Sequence, residues 1–243
     1  MNENSYYDIY LKRLNRYGND YQTRTQKKRE RDFENYLLKS VYRVEFDYNQ
    51  EIVPATFERY KQDETETLHY LLTRVDINIP NGTILMIPNK DDELKPWMVY
   101  YLESIKASGY NRYIMLKMTH FLTWKDREGI VRNSWAYFYG QEDNMLKDEL
   151  QSRSRSDVRY TENLKGSFFV LPTTGCLKKD DYLELGEGIL KEAYRVTGYD
   201  TQSTPGVEYV TVDPVYLRDE SPDPVQDTES NPEDFFWING GAN

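Results

Sequence analysis

Two histidines, one cysteine and 41 carboxylates are the groups with which this chain could cut, transfer or ligate. Their spacing matches none of the common catalytic layouts. His69 lies in Leu68-His69-Tyr70-Leu71-Leu72 and His120 in Thr119-His120-Phe121-Leu122. Each histidine is thus inside an apolar run, so neither looks like half of a spaced metal pair. Both fit packed or solvent-facing strand positions. Cys176 follows Gly175 with no base beside it, which points to an inert thiol. A lone cysteine also excludes an intramolecular disulfide and a multi-cysteine zinc site. The sequence lacks a phosphate-cradling glycine loop, Gly-x-Gly-x-x-Gly, His-Glu-x-x-His and the nucleophile elbow. Carboxylates are plentiful, but sequence alone does not pair them. A nuclease or phosphodiesterase would need a cluster of them around a divalent cation. No catalytic, cofactor-binding or metal-binding residue is assigned, and the expectation is a non-enzymatic protein without a cofactor.

The remaining chemistry is that of docking. Arg24, Lys27, Lys28, Arg29 and Arg31 form a basic run in a chain whose net charge is -10 and whose pI is about 4.9. They suit contact with nucleic acid or, more so, with an acidic protein surface, or they make a solvated helix face with local Arg-Glu pairs. An acidic chain does not attract duplex DNA through its overall field. From Asp213 to Asp234 eight acids are opposed by Arg218 alone, and Pro214, Pro222, Pro224 and Pro232 break regular structure. That stretch ends in Phe235-Phe236-Trp237-Ile238, an apolar group that a plain solvating tail does not need. The expectation is a tethered hook for a neighbouring subunit; a peptide folded back on its own barrel is the alternative. Ser152-Arg153-Ser154-Arg155 is too short to mark a nucleic-acid-binding segment and suits an exposed loop.

These groups need elements to hold them. The chain has 22 tyrosines and a mean hydropathy of -0.84, so its aromatic rings fill strand positions, partner surfaces, or both. No apolar run is long enough for a membrane span, and the first residues lack a signal-peptide core, so a soluble protein made in the cytoplasm is expected. Tyr7, Tyr10, Leu11 and Leu14 share one helical face, Gly18-Asn19-Asp20 stops that helix, and a second runs from about Thr25 to Leu38. From Val41 the period becomes two: Tyr42, Val44, Phe46 and Tyr48 alternate with charges. Asn49-Gln50 turns the chain into a short return strand at Ile52-Val53, and Pro54 onward reads as loop. Leu68–Thr73 leads into a meander over residues 80–140. Its strands are Thr83–Pro88, Trp97–Leu102, the long run Tyr113–Trp124 and Ser134–Tyr139, with turns at Asn81-Gly82, Ser108-Gly109 and Glu128-Gly129. Residues 168–217 repeat this grammar, which suggests two β units of related topology.

The resulting fold class is mainly β: two small antiparallel barrel or meander units, an N-terminal helical pair and an extended acidic tail. The expected boundaries are a helical arm at 1–40, a first β-barrel domain at 41–140 and a helical or loop connector at 141–163. A second β unit at 164–217 and the tail at 218–243 complete the chain. Trp97, Trp124 and Trp135 fall in strand-like runs and are expected in the core rather than on a base-stacking platform.

Asn81-Gly82-Thr83, Trp97-Met98-Val99, Tyr113-Ile114-Met115 and Leu122-Thr123-Trp124-Lys125-Asp126 with Gly129 resemble a layout in structural proteins of tailed phages of Gram-positive bacteria, encoded among the head-morphogenesis genes. Arg195-Val196-Thr197-Gly198-Tyr199-Asp200 with Gly206-Val207 is similar to their second half, and Tyr6–Leu11 to their start. The resemblance implies a head-tail connector component, a portal adaptor or head-closure protein. It implies β-barrel subunits in a ring around the DNA channel at the virion neck, with itself, portal and tail proteins as partners. Duplex DNA would pass without sequence-specific binding, past acidic side chains that repel phosphate. No catalytic residue is carried over. A tail terminator or tube-associated protein is the alternative.

Overall fold

The computed structural model describes residues 6, 9–11, 20–60, 66–89, 93–104, 109–139, 167–186 and 192–215. Among them are one long helix, α1 (Tyr21–Lys39), and twelve strands. The first six strands are β1 (Arg43–Tyr48), β2 (Glu51–Arg59), β3 (Leu68–Thr73), β4 (Ile84–Pro88), β5 (Leu94–Ser104) and β6 (Asn111–Lys117). The second six are β7 (His120–Lys125), β8 (Val131–Tyr139), β9 (Phe168–Pro172), β10 (Tyr182–Leu185), β11 (Glu192–Asp200) and β12 (Val207–Val215). The chain is mainly β, as its alternating patterns predict. The expected connector at 141–163 and the tail at 218–243 lie outside the described residues, as does most of the first expected helix.

Strands β1 to β6 form one six-stranded sheet in the order β1-β2-β3-β6-β5-β4. Strands β7 to β12 form a closed barrel, β10-β11-β12-β9-β8-β7. Numbered within its own half, the barrel reads 1-2-3-6-5-4, so the two halves share one strand order. They differ at the seam. In the barrel the first and last strands of that order pair, Thr123 with Glu184 and Leu122 with Leu185. Among the described residues, β1 and β4 are the edges of the sheet.

This moves the expected boundary at residue 140. β7 and β8, assigned above to the first domain, belong with β9–β12. The long run Tyr113–Trp124 is two strands rather than one. The break is at Met118-Thr119, where the Met118 N–H donates to Pro96 O (3.0 Å) and the Thr119 N–H to Ala136 O (3.0 Å). Two compact units result. The first holds residues 1–79, 85–95 and 99–115, and the second holds 80–84, 96–98 and 116–243.

In the first unit, β1 and β2 form a hairpin whose register, Tyr48 with Glu51, leaves a two-residue loop. Asn49 and Gln50 both have positive φ, 53° and 66°, the signature of a type I′ turn. β2 is longer than the expected Ile52-Val53. It continues through Pro54, which pairs with Glu45 on β1, while pairing with β3 begins only at Thr56. At Pro54 the strand therefore has a neighbour on one side only, the setting in which a residue without an N–H is tolerated. Helix α1 starts earlier than Thr25 because Asp20 caps it: its carboxylate accepts from the Thr23 N–H and the Thr23 hydroxyl, each at 2.7 Å. The helix buries Phe33 and Leu37 against Leu72, Tyr70 and Tyr110, and the Phe33 and Tyr110 rings stack at 5.1 Å. Tyr36 is exposed and donates to Glu58 Oε1 at 2.6 Å. The Arg74 guanidinium grips Glu34 with two bonds of 2.6 and 3.0 Å.

In the second unit the pleat decides what fills the barrel. Leu122 and Trp124 on β7, Ala136 on β8, Phe169 and Leu171 on β9, and Val210 and Val212 on β12 point to one core. Leu177, Leu183 and Val196 complete it.

Candidate functional site

The two ends of the barrel differ in chemistry. One end is plugged by the loop after β9. Leu177 from that loop lies in the barrel core. The loop is anchored by Glu208, whose Oε2 accepts from the Thr174 N–H and the Thr174 hydroxyl, each at 3.1 Å. Lys178 N donates to Asp181 Oδ2 at 2.8 Å, and Asp180 and Asp181 exchange backbone bonds with Val196. Glu208 is 1% exposed. Burial raises its pKa, while the two Thr174 bonds and Lys178 pull it back. This end is a structural closure built around one desolvated carboxylate.

At the other end a cluster of aromatic rings packs in mutual contact. Alternation along β7 sends His120 to the same side as Leu122 and Trp124, and alternation along β11 sends Tyr194 to the side of Val196. Phe138 from β8 lies between them: its ring centroid is 6.1 Å from that of His120 and 5.9 Å from that of Tyr194. Fully buried Phe169 completes the cluster, 5.0 Å from Phe138 and 5.4 Å from Tyr194. Polar groups border it. The Tyr194 hydroxyl donates to Glu192 Oε2 at 2.7 Å, and Thr119 Oγ1 and His120 Nδ1 share a hydrogen bond of 2.7 Å. Burial, then the Glu192 carboxylate, pushes the Tyr194 pKa up to about 12. Burial lowers the His120 pKa, with Glu192 pulling the other way. Perturbed titration at the mouth of a barrel marks a candidate binding site.

The expected docking residues on α1 separate into two groups. Arg24, Lys27, Lys28 and Arg31 fall at i, i+3, i+4 and i+7, one stripe opposite the buried Phe33 and Leu37. Lys27, Lys28 and Arg31 are exposed and Arg24 is half-buried. Arg29 leaves the stripe, and its backbone lies against Gly109, where an added Cβ would come within 2.6 Å of it. Phe235, Phe236, Trp237 and Ile238 lie outside the described residues.

The tryptophans also differ among themselves. Trp97 is 6% exposed and Trp124 1%. Trp135, expected in the core, is half-buried: β8 points Ala136 and Phe138 inward and Trp135 outward, where it meets its cross-strand partner Phe121 edge-on at 5.1 Å. Of the groups considered above for chemistry, His120 belongs to this aromatic cluster. Cys176 is half-buried in the plugging loop, packed on the barrel core. His69 stacks on Phe57 at 4.6 Å in the first unit. Among the described residues no group of three or more His, Cys, Asp or Glu side chains could hold a metal ion, and no helix is long and apolar enough to cross a membrane.

No family model matches the chain, and no curated protein does. Among solved structures it is similar to MrkH, described as a c-di-GMP-dependent transcription regulatory factor, at 10% identity with a TM-score of 0.23; the match covers 79% of this chain and 84% of that one. The K. pneumonia MrkH structures in the apo state and in complex with c-di-GMP match at 10% identity, with TM-scores of 0.24 and 0.21. They cover 79% of this chain and 85% and 86% of theirs. Likeness at this level carries no weight for what this chain does.

Proposed function

We propose that this chain is a non-enzymatic, ring-forming structural subunit of a phage virion, a connector of the adaptor or head-closure kind at the head-tail junction. The observation that supports assembly is the unclosed first sheet. Its β1 edge carries Arg43, Glu45 and Asp47, with Arg43 and Glu45 ion-paired at 2.6 Å, and charges of this kind protect an edge from pairing. Its β4 edge reads Ile84-Leu85-Met86-Ile87-Pro88 and has no charge at all. An uncharged edge strand is a natural place for a neighbouring subunit to add backbone hydrogen bonds. The exposed basic stripe of α1 and the apolar end Phe235–Ile238 are further docking elements in this proposal, and duplex DNA passes through the ring without specific contacts.

The test is assembly of the full chain, alone and with the portal ring of the same particle, followed by mass photometry and electron microscopy. Rings are expected, and Met86→Lys should prevent them while leaving the fold intact by circular dichroism. A single copy per assembled particle, or rings that ignore Met86→Lys, would overturn the proposal. Magnesium-dependent cleavage of DNA by the purified chain would favour a nuclease instead.

A further inference from the structure

We propose that the outward face of α1 receives the acidic C-terminal segment of a neighbouring copy, residues 219–238. This rests on the ring-forming reading above for one point, that the occupant comes from a second copy. At about 100° per residue Arg24, Lys28, Arg31, Asn35 and Leu38 line up, with Lys27 beside them, on the side away from buried Phe33 and Leu37. The stripe is basic over its first turns and apolar at its end. Leu38 is 68% exposed, and the chain continues into Val41, 89% exposed, and exposed Tyr42. Helix physics alone does not favour this arrangement. Arg24 with Lys28 and Lys27 with Arg31 lie at i, i+4; Arg24 with Lys27 and Lys28 with Arg31 lie at i, i+3. All four pairs set like charges side by side. They also crowd the N-terminal half of the helix, where the dipole favours anions, and beyond the Asp20 cap the first turn holds no acid. An anionic chain laid along the stripe relieves both effects.

The sequence after β12 has the complementary order. Between Asp219 and Ile238 seven acids stand without a basic residue, and the last two, Glu233 and Asp234, run directly into Phe235-Phe236-Trp237-Ile238. Acid followed by aromatic matches base followed by apolar. The spacing agrees as well. Seven helical residues from Arg31 to Leu38 rise about 10 Å, and three residues of extended chain from Glu233 to Phe236 span about 10 Å. Glu233 set on Arg31 thus brings Phe236 to Leu38. Between Val215, the end of β12, and Phe235 the chain spans up to about 70 Å, enough to reach a neighbouring subunit. Charge pairing steers the segment and fixes its register, and the aromatic end supplies the desolvated contact. Duplex DNA would offer phosphate to the bases but nothing to Leu38, Val41 and Tyr42, and the chain's net charge of -10 opposes its approach.

The probe is a fluorescein-labelled peptide of residues 219–243, titrated with the full chain and followed by anisotropy. A saturable rise is expected, weakened by salt. Lys27→Glu with Lys28→Glu, two exposed changes checked by circular dichroism, should weaken binding about tenfold. A peptide carrying Glu229→Lys and Glu233→Lys should lose about as much, and should bind that helix variant within about threefold of the parent pair. Leu38→Ser should weaken the full peptide by about threefold and leave a peptide ending at Asp234 unchanged. No rise in anisotropy, equal binding of a scrambled peptide, indifference to the helix variant, or failure of the swapped pair would each overturn the proposal. So would displacement of the peptide by duplex DNA at a concentration below that of unlabelled peptide, which would make the stripe a phosphate contact. Binding seen only when the full chain's own tail carries Glu229→Lys and Glu233→Lys would mean fold-back on the same copy, and would also overturn it. Peptide binding needs no ring, so it can succeed where the Met86→Lys test fails and fail where that test succeeds.

Discussion

Two glycines with nearly the same backbone angle should respond very differently to the same change. Gly206 has φ +86° and Gly129 φ +79°. A side chain in the left-handed region costs about 1–2 kcal/mol, and alanine recovers about 0.4–1 kcal/mol by stiffening the unfolded chain. At Gly129, in the β7–β8 turn, an added Cβ meets nothing within 4 Å. Gly129→Ala should therefore cost only about 1 kcal/mol. At Gly206 the same Cβ would lie 2.3 Å from Asn81 O and 2.9 Å from Asn81 C, where ordinary contact begins at 3.4 Å. Both atoms are backbone, so no rotamer change relieves the overlap. The two segments, both in the second unit, must separate by about an ångström. That breaks the bond from Asn81 Nδ2 to Pro205 O, now 3.0 Å, worth about 0.5–1.5 kcal/mol, and loosens the packing around it. Gly206→Ala should cost about 3 kcal/mol in all, a difference of about 2 kcal/mol from its control.

Urea melts followed by tryptophan fluorescence suit this comparison, because Trp97, Trp124 and Trp135 all fall in the unit being perturbed. For a chain of this size the difference corresponds to a Tm gap of about 4–8 °C. Gly82→Ala should behave like Gly206→Ala, since its Cβ would lie 2.0 Å from Gly206 O. Equal losses at Gly206 and Gly129 would mean that the backbones do not approach so closely in solution, and the reasoning would fail.

Trp124→Ala should cost about 3–5 kcal/mol as a core truncation, and outward-facing Trp135→Ala about 1–2 kcal/mol; similar losses in the same urea melts would contradict the inward and outward assignment. Gln50→Gly should stabilise the first unit by about 0.5–1 kcal/mol, since glycine removes the left-handed penalty of the I′ turn but adds unfolded-state entropy; a lower Tm would argue against that turn. Glu208 has a folded pKa raised above its unfolded value, so the folded state binds more protons and its stability contribution falls as pH rises through that window. Glu208→Gln, which can still accept the Thr174 bonds, should gain stability relative to the parent between pH 4 and pH 7, and a pH-independent difference would refute the desolvated carboxylate.

The sequence was most informative where one face of a strand meets solvent. Val44, Phe46 and Tyr48 alternate with Arg43, Glu45 and Asp47, and β1 follows that pattern. It was least informative where both faces are covered. On β6 Tyr113, Ile114, Met115 and Leu116 are all buried, so period two vanishes. The step at Met118-Thr119 has no glycine or proline to mark it, and two strands read as one. The Asp20 cap is hidden because Gly18-Asn19-Asp20 reads equally as the end of the preceding helix. The aromatic cluster at the barrel end is hidden in the sequence for another reason. His120, Phe138, Phe169 and Tyr194 come from four strands, and only the closing of the barrel brings them together. A signal existed in the spacing of His120, Leu122 and Trp124 and of Glu192, Tyr194 and Val196, which places each trio on one face of its strand. It becomes useful only once strand order is known.

That order poses the last question, because one arrangement of six strands is closed in one half and open in the other. Closure in the barrel needs little backbone: two residue pairs, Leu122 with Leu185 and Thr123 with Glu184. Leu122 is part of the barrel core and Leu185 packs against it, so the seam is held by burial as well as by hydrogen bonds. At the corresponding edges of the first sheet, β1 presents three charges and β4 ends at Pro88, which has no N–H to donate. Amide hydrogen exchange should report the difference. Alternate β4 amides, those turned away from β5, should exchange quickly in the isolated chain, while amides at the Leu122–Leu185 seam exchange only on global opening of the barrel. Addition of a partner strand at β4 should then slow the fast set and leave the seam unchanged. If all β4 amides are already slow in a monomer confirmed by mass photometry, the first sheet is closed in solution and β4 has no free edge for assembly.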